Sequence, residues 1–163
     1  MTSNFEGKCV LITGAARGLG LSMAAEFRTR GARVVLNDLD GDALDDAISH
    51  LGSGADLAPS IADVATVSGC QTVVDDAKTA FGRLDVLVNN AGVNIERPIE
   101  EWDEEHWDKH VNVILKGAFF CAKAATDELR KNKGNVVNIS SNLGVHAVRT
   151  TRVTAPQKVG CLI

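Results

Sequence analysis

The chain has 163 residues, 45% of them hydrophobic, a mean hydropathy of +0.02 and a formal net charge of −4. That composition suits one domain with a substantial core, and the lack of a basic run argues against a nucleic-acid partner. The first residues carry no apolar signal region and Lys116 interrupts the longest apolar stretch, so neither a leader nor a membrane span is expected.

Short apolar runs alternate with helical patterns. The first strand is expected at 9–12, followed by a glycine-rich turn, Gly14, Gly18 and Gly20. A first helix places Leu19, Met23 and Phe27 on one face at the i, i+4, i+8 spacing, and Gly31 ends it. A second strand at 34–36 leads to a helix with Ala43, Leu44, Ala47, Ile48 and Leu51 on one stripe. A third strand at 56–61 contains Pro59, which suits a sheet edge. The third helix carries Val67, Cys70, Val73, Val74, Ala77 and Phe81, and Gly82 leads into a fourth strand at 86–88. One long helix is expected over 103–131, with Trp107, Val111, Leu115, Ala118, Ala122, Ala125 and Leu129 inward and an acidic start. Gly134 ends it, and a fifth strand follows at 136–139. Repeated strand–helix units imply an α/β fold, a doubly wound parallel sheet of Rossmann type, in one dinucleotide-binding domain over 1–163. The segment 146–163 reads as an irregular basic tail.

A strand, a tight glycine turn and a helix N-terminus make a phosphate site, because backbone N–H groups and the helix dipole both favour an anion. The spacing here is G-x-x-x-G-x-G rather than G-x-G-x-x-G. Asp38 stands 18 residues past Gly20, at the end of the second strand. A carboxylate there accepts both ribose hydroxyls of NAD and repels the 2′-phosphate of NADP. Arg17, inside the turn, points the other way, since a cation can meet a phosphate. Asp63 and Val64 follow the third strand; the aspartate either caps the next helix or bonds an adenine ring. Asn89-Asn90-Ala91-Gly92 follows the fourth strand, where small residues let a cofactor lie against the sheet.

Together these residues resemble the short-chain dehydrogenase/reductase family. Thr13-Gly14-x-x-x-Gly18-x-Gly20, Asp38, Asp63-Val64, Asn89-Asn90-Ala91-Gly92 and Asn138-Ile139-Ser140-Ser141 follow that family's motifs in order across about 5–145. The resemblance implies hydride transfer between NAD(H) and a small alcohol or carbonyl substrate, and usually a homo-oligomer. It implies cofactor contacts at Gly14, Arg17, Gly18, Leu19, Gly20, Asp38, Asp63, Val64, Asn90, Ala91, Gly92 and Lys158. It makes Ser141 the hydroxyl that binds the substrate oxygen, with Gly144 three positions later. The family's Tyr-x-x-x-Lys falls 13 residues after that serine, where this chain has Thr154 and Lys158.

Two departures bear on mechanism. Thr154 stands at the tyrosine position, the chain has no tyrosine at all, and Ile114 stands at the position of the family's helix asparagine. An aliphatic hydroxyl is far less acidic than a phenol, whose pKa is about 10. A positioned general acid contributes about 10²–10⁴ in rate, so turnover is expected to be depressed by that order. The family also continues with two further strands that this sequence does not reach. A C-terminally truncated member is therefore expected, and the alternative function is an NAD-binding pseudoenzyme or a truncated product without activity.

Two smaller readings complete the sequence. Four scattered cysteines, Cys9, Cys70, Cys121 and Cys161, lack C-x-x-C spacing and read as free thiols in a reducing cytoplasm. His106 and His110 are spaced i, i+4, but no third ligand accompanies them, so an exposed helix face is expected and no metal.

Overall fold

The computed structural model describes residues 4–141, so Gly144, Thr154, Lys158 and the 146–163 tail lie outside the described residues. Strands β1 (Cys9–Thr13), β2 (Arg33–Asp38), β3 (Leu57–Ile61), β4 (Val86–Asn89) and β5 (Asn135–Asn138) form one parallel sheet in the order β3-β2-β1-β4-β5. Helices α1 (Gly18–Thr29), α2 (Gly41–Leu51), α3 (Val67–Phe81), α4 (Glu104–His110) and α5 (Gly117–Asn132) complete the fold, with a π-helical segment, Val111–Lys116, joining the last two. Pro59 sits in β3 at the sheet edge, where its missing N–H costs no ladder bond.

Period-two alternation sorts the strand residues between two cores. Cys9, Leu11, Val35 and Leu87 pack with Cys70, Val73, Val74, Cys121 and Leu129 under α3 and α5. Val10, Ile12, Val34, Leu36 and Val88 pack with Ala24, Leu44 and Ala47 under α1 and α2. All five residues of β1 are buried, so the central strand reads as one continuous apolar run rather than an alternating one. Each fully buried leucine or isoleucine here contributes roughly 1.5–3 kcal/mol.

Several inward positions differ from expectation. Leu19 is 57% exposed, because the buried side of α1 is made by Gly20 and Ala24, which sit against the sheet. Val67, the first residue of α3, is exposed beyond the core. The long helix is not continuous. A π turn takes in an extra residue, which rotates the following side chains relative to an α-helical count. The core-facing residues are therefore His110, Ile114, Gly117, Cys121, Ala125 and Leu129, whereas Trp107 and Leu115 are partly exposed. His110 accordingly lies on no exposed face: it is fully buried, its Nδ1–H donates to the His106 carbonyl at 3.0 Å, and its ring meets Trp102 at 4.8 Å. No helix among the described residues is long and apolar enough to cross a membrane.

Candidate functional site: a cleft at the switch point of the sheet

The chain leaves β1 toward β2 and β3 on one side, then returns to the other side with β4 and β5. Such a reversal opens a crevice at the C-terminal ends of the strands. Here it is a cleft of about 1000 Å³. Its walls bring together Gly14, Arg17, Leu19, Gly20, Asp38, Asp63, Val64, Asn90, Ala91, Gly92 and Ser141 from loops far apart in sequence.

The glycine turn is held by close backbone packing. Gly14 has φ +64°, and a Cβ there would stand 2.9 Å from Ala91 Cα. A Cβ at Gly20 would fall 2.2 Å from the Gly14 carbonyl, so only glycine lets α1 begin this close to the turn. Gly18 opens onto free space. Arg17 at the N-cap of α1 makes no side-chain capping bond, so the first amides of the helix are left for an outside acceptor. The Arg17 guanidinium lies 3.6 Å from the Asp40 carboxylate instead.

Thr13 and Asn90 brace this turn from below. Thr13 Oγ1 accepts the Asn90 and Ala91 N–H groups, both at 3.0 Å. The Asn90 side-chain amide donates to the Thr13 carbonyl at 2.9 Å and the Gly14 carbonyl at 3.0 Å. The Asn90 amide nitrogen is thus committed to the turn. Thr13 belongs to the site as its brace, which the sequence reading did not assign; the signal was a hydroxyl on the last residue of a fully buried strand. Asn37 acts similarly next door. Its Nδ2 donates to the Ser60 and Ala62 carbonyls at 2.9 and 3.0 Å, tying the ends of β2 and β3 together beside Asp38 and Asp63.

Asp38 accepts the Leu39 N–H at 2.9 Å and the Ala16 N–H at 3.3 Å, which aligns its carboxylate with the glycine turn. Asp63 accepts the Ala65 N–H at 2.9 Å. It does not cap α3: Thr66 does, accepting the Gly69 N–H at 3.0 Å, because Thr66 is the residue in extended geometry directly before the helix. On the far wall, Asn89 Nδ2 donates to Asn138 Oδ1 at 2.9 Å and to the Ala118 carbonyl at 3.2 Å. The Ile139 N–H donates to the Asn89 carbonyl at 2.9 Å, carrying the chain into Ser140 and Ser141 at the cleft. Ile114 is 3% exposed and shares a small cavity with Thr13, Asn89, Val113 and Ile139, presenting only carbon. Asn112 does not take its place there; its Oδ1 accepts from Lys116 Nζ at 3.3 Å. His106 pairs with Asp103, and among the described residues no group of three metal-ligating side chains occurs.

Comparison with known proteins agrees with this architecture. The family model for short chain dehydrogenases matches residues 8–160. The chain is 38% identical over 161 residues to an uncharacterized oxidoreductase of Thermotoga maritima, covering 98% of this chain and 63% of that protein. It is 36% identical over 141 residues to meso-2,3-butanediol dehydrogenase of Serratia marcescens, covering 86% of this chain and 56% of that one. The crystal structure of a short-chain dehydrogenase/reductase (glucose/ribitol dehydrogenase) from Brucella melitensis superposes with a TM-score of 0.90 at 30% identity, over 98% of this chain and 67% of that chain. The chain thus spans about two thirds or less of the length of these relatives. On sequence and fold together, it belongs to the short-chain dehydrogenase family.

Proposed function

We propose that the chain binds NAD(H) in the switch-point cleft and carries the cofactor half of an enzyme that interconverts a small alcohol and its carbonyl compound. The observation that carries this reading is the uncapped N-terminus of α1 set against Gly14 and Gly20, next to a carboxylate at the end of β2. Bound NAD(H) supplies or takes the hydride. The amides of Gly18, Leu19 and Gly20 receive its pyrophosphate. Asp38 accepts the ribose hydroxyls, and Asp63 with Val64 meets the adenine. Ala91 and Gly92 leave room for the cofactor along the sheet. Preference for NAD over NADP is supported by Asp38 and by the engagement of Arg17 with Asp40, which offsets the cation nearest the 2′-position. Ser141 is assigned to the substrate oxygen, Lys158 to the nicotinamide ribose, and Thr154 to the usual tyrosine position.

Calorimetry with NAD and NADP on the wild-type chain and Asp38→Ala tests this. NAD binds the wild type more tightly than NADP, and Asp38→Ala weakens NAD about tenfold while narrowing that preference. Absence of NAD binding to a folded wild-type chain overturns the proposal.

A second reading, a cofactor binder with impaired turnover, is favoured by Ile114. A buried aliphatic side chain offers no hydrogen bond for a relay water at the position where the family carries asparagine. NADH oxidation against a panel of ketones separates the two readings: turnover above that of Lys158→Ala supports the enzyme, and tight NAD binding without turnover supports the binder.

A further inference from the structure

Helices α3 and α5 pack on the same face of the sheet, and each contributes one cysteine to the seam between them. Cys70 and Cys121 are both 1% exposed. Their thiols are hydrogen-bonded to each other. Cys70 Sγ also lies 3.2 Å from the Val64 carbonyl and 3.7 Å from the Gly117 carbonyl, one helical turn before Cys121. Gly117 makes this approach possible: a Cβ there would stand 2.9 Å from the Val64 carbonyl oxygen.

The seam is close to solvent despite its burial. Cys121 lines the small cavity behind the cleft, and Val64, Ala91, Val113 and Ile139 belong to the walls of both spaces. Hydrogen peroxide is little larger than the water such spaces admit. The two sulfurs are also inequivalent. The hydrogen bond from Cys121 holds the Cys70 thiol below its ordinary range, while the same bond together with burial pushes Cys121 up. Cys70 is therefore the nucleophile of the pair and Cys121 its resolving partner.

We propose that Cys70 and Cys121 form a redox-active pair, which peroxide converts to an internal disulfide clamping α3 to α5 directly behind Val64. The Cys70 thiolate attacks one peroxide oxygen, the O–O bond breaks, and the departing hydroxide takes up the thiol proton as water. The Cys121 thiol then attacks the sulfenic sulfur of Cys70. The S–O bond breaks, the S–S bond forms and a second water leaves. Two thiols lose two electrons and two protons, and one peroxide becomes two waters. The product also removes the S–H donor from the Val64 carbonyl, a buried acceptor on the cleft wall.

The test treats the full chain with hydrogen peroxide, quenches with catalase, alkylates remaining thiols in denaturant and maps the peptides by mass spectrometry. A linked pair of peptides containing Cys70 and Cys121 is expected, two hydrogens lighter than the reduced pair. Loss of free Cys70 should run about tenfold faster than loss of free Cys9, which is buried on β1. In Cys121→Ser the Cys70 sulfenic acid persists and is captured by dimedone, whereas the wild type gives little adduct. Should that variant fail to fold, the wild-type peptide map decides alone. Unmodified Cys70 and Cys121, a link through Cys9 or Cys161, or Cys70 oxidised to sulfinic acid without a link overturns the proposal.

Discussion

At the N-terminal end of the sheet Asp85 is 3% exposed and gathers two cations and a backbone amide; at the C-terminal end Asp38 and Asp63 are partly exposed and bond only to backbone N–H groups. Lys8 Nζ stands 2.9 Å from Asp85 Oδ1, Arg83 makes paired bonds of 2.6 and 2.7 Å, and the Cys9 N–H donates at 2.9 Å. Burial alone would raise the Asp85 pKa. The bonds from Arg83, Cys9 and Lys8 outweigh it and hold the carboxyl at about 2. Burial meanwhile pushes the neighbouring Cys9 thiol up to about 12, so it stays protonated. One end therefore spends its carboxylate on locking the start of β1 to the start of β4. The other keeps carboxylates without a bound cation, which leaves them able to accept hydroxyls from a ligand.

This contrast can be broken from either side. Removing the lock with Asp85→Ala should cost about 3 kcal/mol of stability in urea unfolding, since two cations and an amide lose their acceptor, while NAD affinity stays within about twofold. The same group sets an acid limit. Its folded pKa of about 2 lies below the ordinary carboxylate value of about 3.9, so its contribution is complete above about pH 4 and is lost as the pH falls toward 2. That contribution is roughly 2 kcal/mol, and Asp85→Asn should flatten the pH dependence over this window. At the opposite end, Gly20→Ala drives a Cβ to 2.2 Å from the Gly14 carbonyl. It should weaken NAD about 100-fold by calorimetry, which corresponds to about 2.7 kcal/mol. The smallest effect is expected at the cap of α3: Thr66→Ala should lower stability by about 1 kcal/mol and change NAD affinity less than about threefold. A Thr66→Ala chain that keeps its stability but loses NAD binding would show that the two ends are not divided as described.

The sequence pattern carried the five strands, their flanking helices and the edge position of Pro59, because buried parallel strands must be apolar on both faces. It failed along 103–131, where a count at 3.6 residues per turn put Trp107 and Leu115 inside. The π segment Val111–Lys116 shifts the phase, and a histidine faces the core instead. Nothing in local periodicity marks a single wide turn.

The candidate site divides in the same way. Gly14, Gly20 and Asp38 were legible as residue types at characteristic spacings, because close backbone approach and φ > 0 select glycine whatever surrounds it. The commitment of Asn90 to the turn, the bracing hydroxyl of Thr13 and the choice of Thr66 over Asp63 as cap were not legible. Each depends on which of several equivalent polar groups lies within about 3 Å of a given backbone atom. Sequence by itself determined the order of strands and helices and the glycine turn, since these follow from backbone geometry and apolar periodicity. Tertiary structure alone decided which polar groups brace the cleft, which face of the long helix is buried and that Cys70 meets Cys121, because those contacts join residues distant along the chain.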